Sequence, residues 1–146
     1  MKTLHNLLSE QEKTQYAIEA GTKTHKKLQR VLISDTKTVG DIDLINKIKQ
    51  HPNLVSFFCE NSKTEVPVAG TVNGRFISRR IDRMCVNHDT KIVDIIDYKT
   101  DTCCDTYHDK YVSQVHEYIK LVQQIYPEYK IKGYILWTHN FFLETV

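Results

Sequence analysis

Residues 65 to 99 contain three stretches of β-forming residues in close succession, and this pattern constrains the fold more than any other part of the chain. The first stretch, EVPVAGTV, is separated from RFISRRIDRMCV by the dipeptide Asn73-Gly74. Asn-Gly between runs of β-branched and aromatic residues is a strong hairpin signal. The turn sequence NHDT then leads into KIVDIIDY. We therefore expect a three-strand antiparallel meander.

Apolar residues with helical spacing flank the meander on both sides. Before it, three amphipathic segments are predicted, centred on Leu4, Leu7 and Leu8, on Leu28, Val31 and Leu32, and on Leu44, Ile45 and Ile48, with Pro52 closing the last. After it, a helix is predicted over 109–126, followed by the buried strand IKGYILW. This order predicts a mixed α/β (α+β) domain, in which the meander and a further strand form a mixed sheet flanked by helices. The helical part is expected over about residues 1–52 and the sheet core over about 53–146.

Length and charge narrow the class of protein. A chain of 146 residues suits a single domain, and 20 basic against 18 acidic residues give a net charge of only +2, which excludes a polybasic nucleic-acid coat. The first residues lack the apolar run of a signal peptide, and no later stretch approaches the roughly 20 apolar residues that span a bilayer. We expect a cytoplasmic protein without membrane partners. The cysteines have no CxxC spacing and are expected to be reduced thiols.

Two carboxylates and a lysine stand near the strand ends of the meander. Asp82 lies in the second strand and Asp97 in the third, so antiparallel pairing can place them side by side. Opposed like charges destabilise a sheet unless a cation joins them, and two carboxylates with waters are a usual arrangement for Mg²⁺. Lys99 has the same parity as Asp97, so both side chains leave one face of the strand.

Four short motifs, in chain order, resemble those of the RecB-type branch of the PD-(D/E)XK nucleases. They are GTKTH at 21–25, IDR at 81–83, DYKT at 97–100 and QVHEY at 114–118. The likeness is closest to the C-terminal nuclease domain of AddA-type helicase-nucleases and covers about residues 21–146. Four ordered motifs are more specific than DYK alone. The resemblance implies a restriction-endonuclease-like core and a metal-dependent DNA nuclease of double-strand break repair or recombination.

The resemblance also implies roles for individual residues. Mg²⁺, for which Mn²⁺ is expected to substitute, would be bound by His25, Asp82, Asp97 and the backbone carbonyl of Tyr98. Lys99 would orient or activate the attacking water. The remaining implied residues are Gln114 and Tyr118 of the Q-x-x-x-Y motif at the border of the active site, and Glu65 beside the ligands or as an additional one. Apart from the resemblance, Lys23 and Lys26 belong to a basic cluster that brackets His25, which is either a solvated helix face or a set of DNA contacts. Arg79 is a further candidate contact to DNA. DNA and a helicase module or an AddB-like subunit are the implied partners.

The sequence departs from the family pattern at two positions, and several single residues also have a purely structural explanation. Arg79 stands where relatives usually have glycine, and Asp101-Thr102 stand where they often have Asn-Arg. A catalytically weakened DNA-binding or assembly domain is therefore an alternative function, and a small-molecule α/β module is another. Asp97 and Lys99 can also be explained as a surface ion pair, Asp82 as a partner of Arg80 or Arg83, and His25 and Tyr118 as packing residues. The chain has no Walker A motif, so it is not itself an ATP-driven helicase of the resembled type.

Overall fold

The computed structural model describes residues 23–100 and 104–146, without the side chains of 104–106. Helix α1 is described over residues 23–29. The elements that follow are β1 (Leu32–Ile33), β2 (Thr38–Val39), α2 (Ile42–Lys49), α3 (Pro52–Val55), a 3₁₀ turn (Ser56–Phe58), β3 (Ser62–Val72), β4 (Arg75–Asn87), β5 (Ile92–Lys99), α4 (Cys104–Ile125), β6 (Lys130–Trp137) and β7 (Phe142–Thr145).

The main sheet has five strands in the order β3-β4-β5-β6-β7. The first three form the antiparallel meander, with Asn73 and Gly74 at positive φ in the first turn, as a tight hairpin requires. Strand β6 pairs parallel to β5, and the chain reaches it through α4, which supplies the long connection that parallel neighbours need. The mixed sheet with flanking helices is thus confirmed, while the antiparallel edge strand β7 was not predicted.

The helical part differs from its prediction in three places. Helix α1 ends at residue 29, and Leu32 lies in β1, which pairs with β2 in a small separate hairpin. Pro52 begins α3 rather than closing α2, because the first helical turn has no use for the N–H that proline lacks. Helical turns continue to Phe58 and the sheet starts at Ser62, so the boundary lies beyond residue 52. The segment around Leu4 lies outside the described residues.

Strand β5 is buried on both faces, and this determines the environment of its end. Ile96 and Tyr98 pack with Leu28 and Phe58 of the N-terminal layer. Val93 and Ile95 point to the other face, where they join the core cluster formed with α4. A central strand covered on both sides reads as a continuous apolar run, as IVDIIDY largely does. Any charge at its carboxyl end is therefore close to the core.

Helix α4 lies unusually close to β6. A Cβ atom at Gly133 would fall 2.6 Å from Val115 Cγ1 and 2.7 Å from Ile119 Cδ1, so only glycine permits this approach. The contact fixes the height of α4 over the sheet. It thereby sets the position of the polar residues of α4 that lie near the end of β5.

Candidate active site

Asp82 and Asp97 meet where β4 and β5 part. The β4–β5 ladder begins at the pair Arg83–Ile96, and the same register carried one step further sets Asp82 opposite Asp97. Instead of a further ladder bond, Asp82 Oδ2 accepts a hydrogen bond from the Tyr98 backbone N–H at 2.8 Å. The structure therefore brings the two carboxylates together, as the strand spacing predicts.

Asp97 is buried, with 4% of its surface exposed. Its Oδ2 lies 3.0 Å from Lys99 Nζ, but the approach does not have the geometry of a hydrogen bond, and within the described residues this oxygen has no hydrogen-bond partner. The ion pair is real by distance, and the missing hydrogen bond leaves acceptor capacity unused. A surface ion pair does not describe this arrangement, because an oxygen that is buried without a hydrogen bond is costly.

The Asp82 carboxyl responds to the same environment. The Asp82 pKa is raised to about 7, first by burial and next by the negative charge of Asp97, and the hydrogen bond from the Tyr98 N–H lowers it by less. Neither Arg80 nor Arg83 relieves it through an ion pair, since Arg80 lies 3.8 Å from Glu65 and Arg83 binds elsewhere. The pair Asp82–Asp97 is thus a site where a second negative charge is disfavoured unless a cation enters.

A chain of hydrogen bonds links Lys99 to α4. Lys99 Nζ donates to Gln114 Oε1 at 3.0 Å, and Gln114 Nε2 donates to the Tyr118 hydroxyl at 2.9 Å. The predicted shared helical face of Gln114 and Tyr118 is present, one turn apart on α4. Tyr118 is also a core residue, 3% exposed, and burial together with the charges of Asp97 and Asp82 raises its pKa. Gln114 therefore fixes the lysine ammonium while Tyr118 fixes Gln114.

His25, from the N-terminal layer, and Glu65, from β3, border the same site. The His25 ring packs edge-on against Tyr98 at 5.6 Å between centroids. Burial lowers the His25 pKa, and Asp97, Lys99 and Glu65 are the charges that act on it.

Glu65 lies within β3 at a φ of 52°, opposite Asp82. The hydrogen-bonded ladder skips it, since the pairs on either side are Thr64–Arg83 and Val66–Ile81. A non-glycine residue in the left-handed region is a local strain that the surrounding sheet imposes.

Arg83 is the residue of this region whose role the sequence did not indicate. It is 1% exposed and donates hydrogen bonds to four acceptors, none of which is a carboxylate. They are the Tyr98 hydroxyl (2.8 Å), Ser62 Oγ, and the carbonyls of Leu28 (2.9 Å) and Val31 (3.1 Å). Its guanidinium also lies 4.4 Å over the Phe58 ring. Arg83 thereby ties the end of α1, which carries His25, to the strand that carries Asp97 and Lys99.

The residues predicted to contact DNA are in different situations. Lys23 and Lys26 are exposed on α1. Arg79 Nε instead donates to Glu117 Oε1 at 2.7 Å, which holds β4 to α4. Arg79, which stands where the resembled family has glycine, thus forms a salt bridge at the edge of the site.

A hard divalent cation fits the two aspartates. Mg²⁺ is commonly bound through one or two carboxylates with waters. The carboxylates of Asp82 and Asp97 supply that donor set, and Asp97 Oδ2 has no hydrogen-bond partner among the described residues. Within residues 23–100 and 104–146, no group of three or more His, Cys, Asp and Glu side chains is arranged to hold a metal. The fit therefore rests on Asp82 and Asp97. Placing His25 or the Tyr98 carbonyl among the ligands stays a prediction from the resemblance.

Comparison with known proteins adds no assignment. No family model matches the chain, and a search of curated proteins finds no significant match. None of the helices in the described ranges combines the length and the hydrophobicity that crossing a bilayer requires.

Proposed function

We propose that the protein is a metal-dependent DNA nuclease domain with a restriction-endonuclease-like core. The observation that carries the proposal is the buried Asp97 carboxylate, set opposite Asp82 and 3.0 Å from Lys99 at the point where β4 and β5 part. Buried charge of this kind is costly for folding alone and marks functional sites. The order of the four motifs along the chain supports the same class.

The chain's own residues supply distinct parts of a phosphodiester hydrolysis. Asp82 and Asp97 would hold a Mg²⁺ ion. Such an ion polarises a phosphoryl oxygen and lowers the pKa of a bound water. The Lys99 ammonium, fixed by Gln114, is placed to orient the attacking water and to stabilise charge that develops on the phosphate. Tyr118 acts through Gln114 and is a positioning residue.

A catalytically weakened DNA-binding or assembly domain is the second candidate. It is favoured by Arg79, which replaces the glycine of the resembled motif and is engaged by Glu117. A bulky cation held at the border of the site narrows the space for a DNA strand. In this second function the fold and the DNA surface are kept without turnover.

Cleavage of end-labelled single- and double-stranded DNA in Mg²⁺, Mn²⁺ or EDTA separates the two candidates. We expect the wild type to cut in either metal and not in EDTA. Asp97→Asn should abolish cutting with the fold retained, whereas the matched change Asp94→Asn, on the same strand but pointing to the other face, should not. DNA binding without cleavage in any metal would support the second candidate and reject the nuclease.

A further inference from the structure

A row of aromatic rings leads from the protein surface to Lys99. Tyr107 and Tyr111, one turn apart on α4, have stacked rings with centroids 6.3 Å apart and planes at 28°. Lys99 Nζ lies 4.5 Å from the centroid of the Tyr111 ring. Tyr111 in turn lies 6.1 Å from Trp137, which is 4% exposed. The row is thus anchored in the core at one end and open at the other.

Tyr107 is the open end of this row, with 51% of its surface exposed. Isolated exposed aromatic residues are normal on protein surfaces and by themselves indicate nothing. Tyr107 differs because its ring is already oriented by Tyr111, the ring that also contacts the candidate catalytic lysine. A flat partner arriving at Tyr107 would extend an ordered stack at little conformational cost.

The charge of Lys99 and its short distance from the aromatic row indicate the chemistry of that partner. The Lys99 ammonium attracts a phosphate to the candidate active site, and phosphate contacts position a strand without reading its sequence. Lys99 lies 4.5 Å from the centroid of the Tyr111 ring, which lies 6.3 Å from that of Tyr107, so a strand whose phosphate lies at Lys99 would carry the base of a neighbouring nucleotide towards Tyr107. Stacking of bases on aromatic side chains is strong and tolerates any base.

We propose that Tyr107 is a stacking site for an unpaired nucleobase next to the phosphate bound at Lys99. This inference rests on the proposed function and specifies its substrate: a single-stranded or frayed strand, because a base within a duplex has both faces covered. Tyr111 is a positioning residue for this site, since it holds the Tyr107 ring.

The test is a binding cycle that does not depend on cleavage. Affinity for a fluorescent single-stranded oligonucleotide is measured in Ca²⁺, with an abasic site placed at each position in turn. Tyr107→Ala should weaken binding of the intact oligonucleotide roughly tenfold, while Tyr107→Phe, which keeps the stacking ring, should not. With the abasic site at one particular position, the effect of Tyr107→Ala should disappear. Phe76→Ala is the matched control, because Phe76 is even more exposed, at 74%, and lies outside the row.

The outcomes separate this site from the proposed nuclease activity. Equal effects of Tyr107→Ala on intact and abasic oligonucleotides at every position would overturn the stacking site, even if the wild type cuts DNA. Coupling at one position in a protein that cuts no DNA would keep the stacking site and reject the nuclease. Failure of the wild type to bind DNA would overturn both. Each of these conclusions requires that Tyr107→Ala and the wild type have the same melting temperature. We expect this because the Tyr107 side chain is exposed.

Discussion

Replacing Asp82 by asparagine should stabilise the metal-free protein, and increasingly so as the pH rises. The Asp82 pKa is about 7 in the folded protein against 3.8 for the ordinary carboxyl, mainly because of burial and next because of the Asp97 charge. Between these values the folded protein binds more protons than the unfolded chain, so the free energy of unfolding falls as the pH rises. Asparagine cannot ionise, and its carbonyl can still accept the Tyr98 N–H.

The size of the effect follows from the shift. About three pKa units at 1.36 kcal/mol each give a loss on the order of 4 kcal/mol for the wild type between pH 4 and pH 8. The free energy of unfolding of Asp82→Asn, minus that of the wild type, should increase by about this amount over the same range. The difference is large, because the free energy of unfolding of the whole domain is expected to be only about 5–15 kcal/mol.

Urea denaturation in EDTA, followed by far-UV circular dichroism at several pH values, measures this difference. Asp89→Asn is the control, because Asp89 is exposed in the turn after β4, away from other carboxylates of the site. A difference between Asp82→Asn and wild type that stays constant from pH 4 to pH 8 would refute the reasoning, since it would mean that Asp82 ionises in the folded protein as it does in the unfolded chain.

Three further changes have defined outcomes. Arg83→Met should lower the free energy of unfolding by about 3–5 kcal/mol in urea, since it leaves three buried acceptors and the partly buried Ser62 Oγ without their donor, and Arg83→Lys should recover only part. Lys99→Ala should slow single-turnover cleavage by about 10²-fold or more, because the ammonium matters chiefly as charge develops in the transition state. DNA affinity in Ca²⁺ should fall much less, because the binding of phosphates is shared with other cations such as Lys23 and Lys26. Glu144→Gln should lower the pKa of His108, which a hydrogen bond and the charge of Glu144 raise, and an NMR titration of the ring would detect this.

The parts of the fold that sequence predicts well are those with strong local signals. Asn73-Gly74 determines the first hairpin, and the long apolar periodicity before Pro127 determines α4. The two-residue strands β1 and β2 and the short edge strand β7 have no such signal. Their pairing depends on neighbours distant in the chain, which a single sequence does not reveal.

The candidate site likewise has some residues whose positions the sequence predicts and others whose positions it does not. The proximity of Asp82, Asp97 and Lys99 follows from strand parity and register, and that of Gln114 and Tyr118 from helical spacing. Arg83 reads as an ordinary exposed strand cation, because its four acceptors come from three separate parts of the chain. The left-handed backbone of Glu65 is equally invisible, since glutamate has no preference for that conformation.

The central claim is that Asp82 and Asp97 together hold a divalent cation, and calorimetric titration of the wild type with Mn²⁺ tests it most directly. The account predicts saturable binding at pH 8 that is lost in Asp97→Asn and kept in Asp94→Asn. It also predicts that binding raises the melting temperature, because the free energy of unfolding increases with the logarithm of the ratio of free metal to its dissociation constant. Equal binding of Mn²⁺ by the wild type and Asp97→Asn would contradict the claim. So would a wild-type melting temperature that does not change in millimolar Mn²⁺.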